Sequence, residues 1–236
     1  MKNKSSLKKV SHVIVLGGDG TYLRASRMTL GLEIPILGFN MGSLGFLTTY
    51  SANQLFDVVE KALKNQISYS HRSALQVRVF RKDKIHREFN VLNDVVLERG
   101  SYSQLINCAM SIEKELVNTI RADGFIVSTP TGSTAYNLSA GGPLLHPEAK
   151  VFVVTPVAPH SLTSRPLIFP DDQVLCLQIQ GENVRAHLIV DGQRELEIGS
   201  QDEIHIVKSK FKHPMAKASV HNFFLLLREK LKFGDR

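Results

Sequence analysis

Four short stretches of this 236-residue chain carry residue types able to do chemistry. In Gly17-Gly18-Asp19-Gly20-Thr21 a carboxylate sits among glycines, directly after the apolar run His12-Val13-Ile14-Val15-Leu16. Glycine lets a backbone or a phosphate come close, and a helix starting just beyond would offer free N–H groups and about half a positive charge to an anion. Gly17, Gly18, Gly20 and Thr21 are therefore candidate phosphate-loop residues. Asp19 would repel a phosphate, so it suits a cation, a hydroxyl proton or a sugar hydroxyl; a tight turn with an Asx cap is the plainer alternative. In the second stretch, Asn93-Asp94 stands between Val91-Leu92 and Val95-Val96-Leu97. A carboxylate inside an apolar strand is unfavourable unless it is paired or faces a cleft, and a strand-end turn is the alternative. The third, Asp123 to Pro143, leads from a β-branched strand into small hydroxyl residues and glycines. Their N–H and O–H groups suit ribose, phosphates and base edges, although a Ser/Thr/Gly-rich surface loop would look similar. The fourth, Asp191-Gly192-Gln193 after Leu188-Ile189-Val190, reads as a hairpin turn.

The elements that must position these stretches follow from periodicity. Val10 to Leu16 is expected as a first strand, Thr21 to Leu30 as a helix, Pro35 to Phe39 as a second strand, and Asn40 to Thr48 as a glycine-punctuated loop. Ala52 to Asn65 is expected as a helix with Leu55, Val58, Val59, Ala62 and Leu63 on one face. Strand–helix alternation of this kind predicts an open, mostly parallel α/β sheet, with ligands at the C-terminal ends of its strands. After Ile67 the pattern changes to alternation. Strands are expected over Ala74–Arg81, Phe89–Glu98, Gln104–Ile112, Leu116–Ile120, Phe125–Thr129, Val151–Pro156, Val174–Ile179, Arg185–Val190 and Glu203–Val207. A short helix is expected over Thr134–Ala140, and a closing amphipathic helix over Asn222–Lys232 with Phe223, Leu226, Leu227 and Leu231 on one face. The fold class read from this is an α/β N-terminal domain (residues 1–68) and a β-rich, sandwich-like C-terminal domain (residues 69–214). Residues 215–236 return to complete the first.

Composition narrows the function classes. Hydrophobic content of 43% and charged content of 22% are those of an ordinary globular protein. No apolar run approaches the roughly 20 residues of a membrane span, and Met1 to Lys9, expected to fray, leads into no signal-peptide core. The net charge is +7, but residues from Lys208 onward hold eight Lys or Arg against Glu229 and Asp235, which accounts for +6 of it. The basic excess is thus a C-terminal feature and suits attraction for a polyphosphate ligand better than a nucleic-acid footprint. Cys108 and Cys176 form neither a disulfide framework nor a metal spacing, and the nine histidines show no metal spacing either. A reducing cytoplasm and no protein-held metal site are expected. Spacing assembles no Ser–His–Asp set.

Taken in order, Gly-Gly-Asp-Gly-Thr at 17–21, the Asn40–Thr48 loop, Asn93-Asp94, the whole of Asp123–Pro143, and Ala158-Pro159-His160-Ser161-Leu162 with Arg165-Pro166 resemble the bacterial ATP-NAD kinase family, from about Val13 to Leu231. The long Asp123 stretch is specific to it, whereas the glycine–aspartate loop is shared with diacylglycerol kinases and 6-phosphofructokinases. The resemblance implies transfer of a phosphate from ATP or another donor, with a divalent cation such as Mg²⁺, to the adenosine ribose 2′-hydroxyl of NAD. It implies Asp19 as proton acceptor and Asn93 and Asp94 as ligands of the adenosine part. Asp123 with Thr134, Ala135, Tyr136, Asn137, Leu138 and Ser139 would hold the nicotinamide end and ribose, and Gly20, Phe46 and Gln193 would make further NAD contacts. Arg121 matches a position where a polar or charged residue goes with NAD rather than NADH. The resemblance further implies a site between two domains, a homodimer or homotetramer, and no nucleic-acid or membrane partner. Family members usually carry a further strand and helix ahead of the glycine–aspartate loop, where this sequence has only Met1 to Leu16, so a sheet lacking that edge strand is expected. Two other classes stay open on residues alone. A lipid or small-alcohol kinase would leave Asp123–Pro143 unexplained, and a non-catalytic nucleotide-binding protein would bind NAD without turnover.

Overall fold

Apolar β-branched runs such as Val13-Ile14-Val15 and Phe125-Ile126-Val127 dictate some of the chain's strands. The computed structural model describes residues 7, 9–100, 105–182, 184–217 and 223–232. In chain order the elements begin with β1 (Val13–Leu16), α1 (Asp19–Thr29), β2 (Ile36–Asn40), β3 (Tyr50–Ser51), α2 (Leu55–Leu63, after a 3-10 turn at Ala52–Gln54) and β4 (Tyr69–Arg72). There follow β5 (Leu75–Arg81), β6 (Lys84–Val91), β7 (Asp94–Arg99), β8 (Ile106–Ile112), β9 (Glu115–Ala122) and β10 (Gly124–Ser128). A 3-10 turn at Gly132–Thr134 leads into α3 (Tyr136–Ser139). Then come β11 (Val151–Val157), β12 (Leu167–Pro170), β13 (Leu175–Gln180), β14 (Arg185–Val190), β15 (Gln193–Gly199), β16 (Asp202–Lys208), β17 (His213–Ala216) and α4 (Phe223–Leu231). The expected fraying of Met1 to Lys9 falls largely on residues outside the described set, as do Gln104 and Asn222 at the starts of two expected elements.

The chain divides into two compact units, residues 1–72 with 211–236, and residues 73–210. The first is an α/β layer. Its sheet runs β1-β2-β17-β4, with β3 also on β2; β1, β3 and β17 are parallel to β2, and β4 is antiparallel to β17. Sequence reasoning missed β4 and β17, because four-residue strands holding Arg72, His213 and Pro214 lack an apolar alternation. Their pairing carries the first unit to Arg72 rather than Ser68. A buried pair fastens α1 to this sheet: the Tyr22 hydroxyl lies 2.8 Å from His213 Nε2. Burial, then the charge of Arg72, holds the His213 imidazole down at about 4, so it is neutral at physiological pH. On α2, Val58 and Ala62 are buried with Leu55 and Val59 against them, but Leu63, expected on the same face, is exposed.

The second unit is a pair of six-stranded antiparallel sheets, β12-β11-β10-β7-β14-β15 and β6-β5-β16-β13-β8-β9, that share one core. The inner strands of the second of these sheets, β5, β8, β13 and β16, alternate, as β5 does with Leu75, Val77 and Val79 buried, because their other face meets solvent. Strands β7 and β10 are buried along almost their whole length, since α3 and its loop pack on β10. Asn93-Asp94 is therefore not inside one strand, as expected from Phe89–Glu98. The chain leaves β6 in one sheet, bends at Leu92-Asn93, and enters β7 in the other. Asp123 marks a second such crossing, from β9 to β10. Strands β12 and β15 were not expected; β15 is too polar to show an apolar period. Among the described residues no helix is long and apolar enough to cross a membrane.

Candidate functional site

In the first unit the glycine–aspartate loop is the turn from β1 into α1. Gly18 caps the helix in extended conformation and Asp19 is its first residue. The Gly17 N–H donates to the Phe39 carbonyl (2.9 Å), so it is committed to β2 rather than to a ligand. Thr21 N–H donates back to the Gly18 carbonyl, which leaves the Asp19 and Gly20 N–H groups at the helix start with no intrahelical acceptor. That is where an anion is favoured.

The Asp19 carboxylate does not stand open. Its Oδ1 accepts from the Leu47 N–H (3.0 Å), the Thr48 N–H (3.1 Å) and the Thr48 hydroxyl (3.1 Å), and its Oδ2 accepts from the Phe46 N–H (2.8 Å). The glycine-punctuated loop is thus wrapped on Asp19, and Gly45 is what permits it. A Cβ at Gly45 would fall 2.0 Å from Asp19 Oδ1 and 2.3 Å from the Thr48 hydroxyl. Phe46 is half-buried, with Lys230 Nζ of α4 5.8 Å from its ring centre. This fixes one oxygen of Asp19 with three donors and leaves Oδ2 with a single partner among them.

In the second unit Asp191, a residue sequence reasoning treated only as a turn, organises the Asn93-Asp94 bend. Asp191 and Gly192 have φ of 44° and 75° and form the two-residue turn of the β14–β15 hairpin. The Asp191 carboxylate then accepts from the N–H groups of Leu92 (3.0 Å), Asn93 (2.7 Å) and Asp94 (3.3 Å). Thr129 holds the other side: its N–H donates to the Asn93 carbonyl and its hydroxyl to the Leu92 carbonyl. Gly132 lies so close that a Cβ there would be 2.3 Å from the Asn93 carbonyl oxygen. With its backbone locked, Asn93 keeps a side-chain Oδ1 that is buried and without a partner, and the Thr131 hydroxyl is in the same condition. Buried polar atoms are nearly always paired, so two orphan oxygens on neighbouring loops point to a ligand. Burial, then the charge of Asp191, raises the Asp94 carboxyl to about 7.

A cleft of about 490 Å³ lies on the same sheet, lined by Val96, Glu98, Arg99, Gly100, Asp123, Gly124, Tyr136, Val157 and Arg194. Arg99 Nε and Asp123 Oδ1 form an ion pair at 2.9 Å across two half-exposed side chains. The Tyr136 hydroxyl is raised by burial and then by the negative charges of Glu98, Asp123 and Asp94, which places it within the field of all three. Of the expected residues, the structure therefore brings Asp94, Asp123 and Tyr136 together. Gln193 opens β15 at the hairpin that holds Asn93. Thr134 and Ala135 are half-buried at the turn before α3, with Leu138 half-buried and Ser139 exposed on it. Asn137 differs from expectation. It is fully buried, its amide donates to the Ser133 and Pro143 carbonyls, and its Oδ1 accepts from the Thr155 hydroxyl, so its side chain braces the loop instead of facing a ligand. Arg121 is exposed on β9, in the other sheet, outside the cleft lining. Besides Asp191, sequence reasoning missed Glu98, Arg99 and Arg194. The signal available for the first two was a Glu-Arg pair ending an apolar strand.

Residues 3–67 match the description ATP-NAD kinase N-terminal domain, and residues 92–218 match ATP-NAD kinase C-terminal domain. An NAD kinase of Bdellovibrio bacteriovorus is 57% identical over 100% of this chain and 78% of its own length. A yeast NADH kinase crystallised with NADH is 29% identical, with a TM-score of 0.92 over 99% of this chain and 70% of that one. An Archaeoglobus fulgidus NAD kinase in complex with ATP is 28% identical, with a TM-score of 0.75 over 91% of this chain and 80% of that one.

Proposed function

The chain belongs to the ATP-NAD kinase family, and we propose that its two sets of residues divide the labour of moving the terminal phosphate of ATP to the 2′-hydroxyl of the adenosine ribose of NAD. The observation that carries the reading is the Asp19 carboxylate. It is pinned by four donors on the Phe46–Thr48 loop, yet Oδ2 has one partner and retains acceptor capacity. Phosphoryl transfer passes through a loose transition state, so catalysis is mainly positioning and charge stabilisation. Asp19 Oδ2 accepts the 2′-hydroxyl proton as a hydrogen bond, orients the oxygen for attack, and takes the proton late. The loop bonds prevent the carboxylate from rotating away. The free N–H groups at the start of α1 receive phosphate oxygens.

In the second unit Asn93, with its orphan Oδ1, and Asp94 receive the adenosine part. Asp123 and the Thr134–Ser139 segment, with the Asn137 side chain bracing it from within, receive the nicotinamide riboside. The oxidised nicotinamide ring is a fixed cation, and in the cleft the carboxylates Glu98 and Asp123 are balanced by Arg99 and Arg194, so removing an arginine favours that ring. A divalent cation, Mg²⁺ for preference, enters as the complex of ATP. Asp19, already bonded to four donors, does not by itself form an oxygen cage, so the ion would rely on phosphates and water as ligands, as is usual for magnesium at nucleotides. The association state implied for the family, a dimer or tetramer, is read by light scattering.

The test is purified protein with ATP, Mg²⁺ and NAD, with NADP followed by an NADP-specific dehydrogenase. Asp19→Asn should keep NAD affinity within a few-fold and lower turnover by about 10² or more, the scale of a lost acid–base group. Wild-type protein that binds NAD by calorimetry but forms no NADP would overturn the kinase reading. Unchanged turnover in Asp19→Asn would overturn the role of Asp19.

A further inference from the structure

The sheet that does not carry the NAD cleft holds a cluster with no part in phosphoryl transfer. Strands β13 and β16 pair antiparallel, with Cys176 directly opposite His205 and Gln178 opposite Glu203. Side chains alternate along a strand, so Glu203 and His205, two apart, share a face. That face is the outer one, because the alternate residues Leu175, Leu177, Ile204 and Ile206 are all in the core. Cys176 stands among them half-buried, and His205 and Glu203 keep 34% and 49% of their side-chain surface. One donor atom of each, a sulfur, an imidazole nitrogen and a carboxylate oxygen, all lie within 4.8 Å of one another. His205 Nε2 and Glu203 Oε2 are 3.0 Å apart.

From this geometry we propose that Cys176, Glu203 and His205 bind one thiophilic divalent cation of the zinc class. Zinc bonds of about 2.3 Å to sulfur and about 2.0 Å to nitrogen or oxygen put tetrahedral ligand atoms roughly 3.3–3.6 Å apart. The trio meets that by small rotations of partly exposed side chains, with no backbone movement. A donor set of one sulfur, one nitrogen and one oxygen selects zinc or cadmium over magnesium and calcium, which take oxygen ligands. Three protein ligands leave the fourth position to water, as in open rather than closed zinc sites. The surroundings fit. The Phe80 ring packs on the His205 imidazole at 4.7 Å between centres, which limits its rotation and makes an apolar wall. Arg78, opposite His205 on β5, directs its guanidinium to Glu88 at 2.8 Å, so its charge is paired. On binding, the metal–sulfur bond forms as the Cys176 thiol proton leaves to water; the His205 ring proton, held on Nε2 by its bond to Glu203, moves through water to Nδ1, and the freed Nε2 lone pair and the Glu203 carboxylate turn to the ion.

The test is binding, not activity, so it fails independently of the kinase reading. The full chain is titrated with Zn²⁺ by calorimetry in excess Mg²⁺, and with Cd²⁺ while the thiolate-to-metal absorption band is followed. One equivalent should bind with the band present. Cys176→Ser should abolish the band and weaken affinity at least about tenfold, and His205→Gln should weaken it by a similar factor. A second measurement needs no variant: maleimide labels the half-exposed Cys176 while Cys108 is buried, and Zn²⁺ should slow the labelling. No uptake in the presence of Mg²⁺, undiminished affinity in Cys176→Ser, or labelling indifferent to Zn²⁺ would each overturn the proposal.

Discussion

Asp94→Asn turns the electrostatics of the proposed NAD site into a stability measurement. In the wild-type protein burial, and next the charge of Asp191, raise the Asp94 carboxyl from 3.8 to about 7. The folded state then holds that proton more tightly than the unfolded state. The stability this contributes is complete below about pH 4 and is lost progressively as pH rises to about 7, above which it stays lost. A shift of roughly three units at about 1.4 kcal/mol each gives a loss on the order of 4 kcal/mol over that window. Solvent screening reduces it little, because Asp94 is only 6% exposed. Asparagine keeps the size and has no charge to desolvate, so the variant escapes the loss. Melting temperatures of the two proteins are compared from pH 5 to 8.5. Near pH 5, about one unit above the unfolded value, the variant should already melt a few degrees higher, and by pH 8 the difference should reach an amount on the order of 10 °C, at about 2–4 °C per kcal/mol for a chain of this size. A difference that stays constant across the range would refute the claim that a charge at Asp94 is held against Asp191 in a dry setting.

Other substitutions probe the remaining parts. Gly45→Ala places a methyl 2.0 Å from Asp19 Oδ1 and must displace the carboxylate. Turnover should fall by about 10², the scale of a roughly 1 Å misplacement, with NAD affinity preserved; full turnover would show that the loop does not set Asp19. Arg99→Gln leaves Asp123 unneutralised in the cleft and should raise the NAD to NADH ratio of kcat/KM by roughly 3- to 10-fold, the effect of one partly screened charge. An unaltered ratio would remove ring charge as the basis of choice. Arg121→Gly should raise use of NADH relative to NAD, and a constant ratio would fit its exposed place on β9 and exclude it as a determinant.

Much of the fold was legible in the chain because its determinants are local. Val13–Leu16 ahead of glycines, and the alternation of Leu75, Val77 and Val79, carry their period in consecutive residues. Elements whose partners lie far away were not legible. β17 is a strand only because β2 and β4 flank it, and Phe89–Glu98 looks continuous because residues buried in either sheet are equally apolar.

From the sequence by itself the family followed by resemblance, and the reaction with it, since Gly17–Thr21, Asn93-Asp94 and Asp123–Pro143 are contiguous motifs; the residue types alone left a lipid or small-alcohol kinase and a non-catalytic binding protein open. Tertiary structure alone decided what those groups touch. Asp19 is gripped by Phe46–Thr48, Asn93 is locked by the Asp191 carboxylate, Asn137 is turned into a brace, and Asp123 is paired with Arg99. The reason is physical: hydrogen bonds and ion pairs act over about 3 Å, and only folding brings residues distant in the chain within that range.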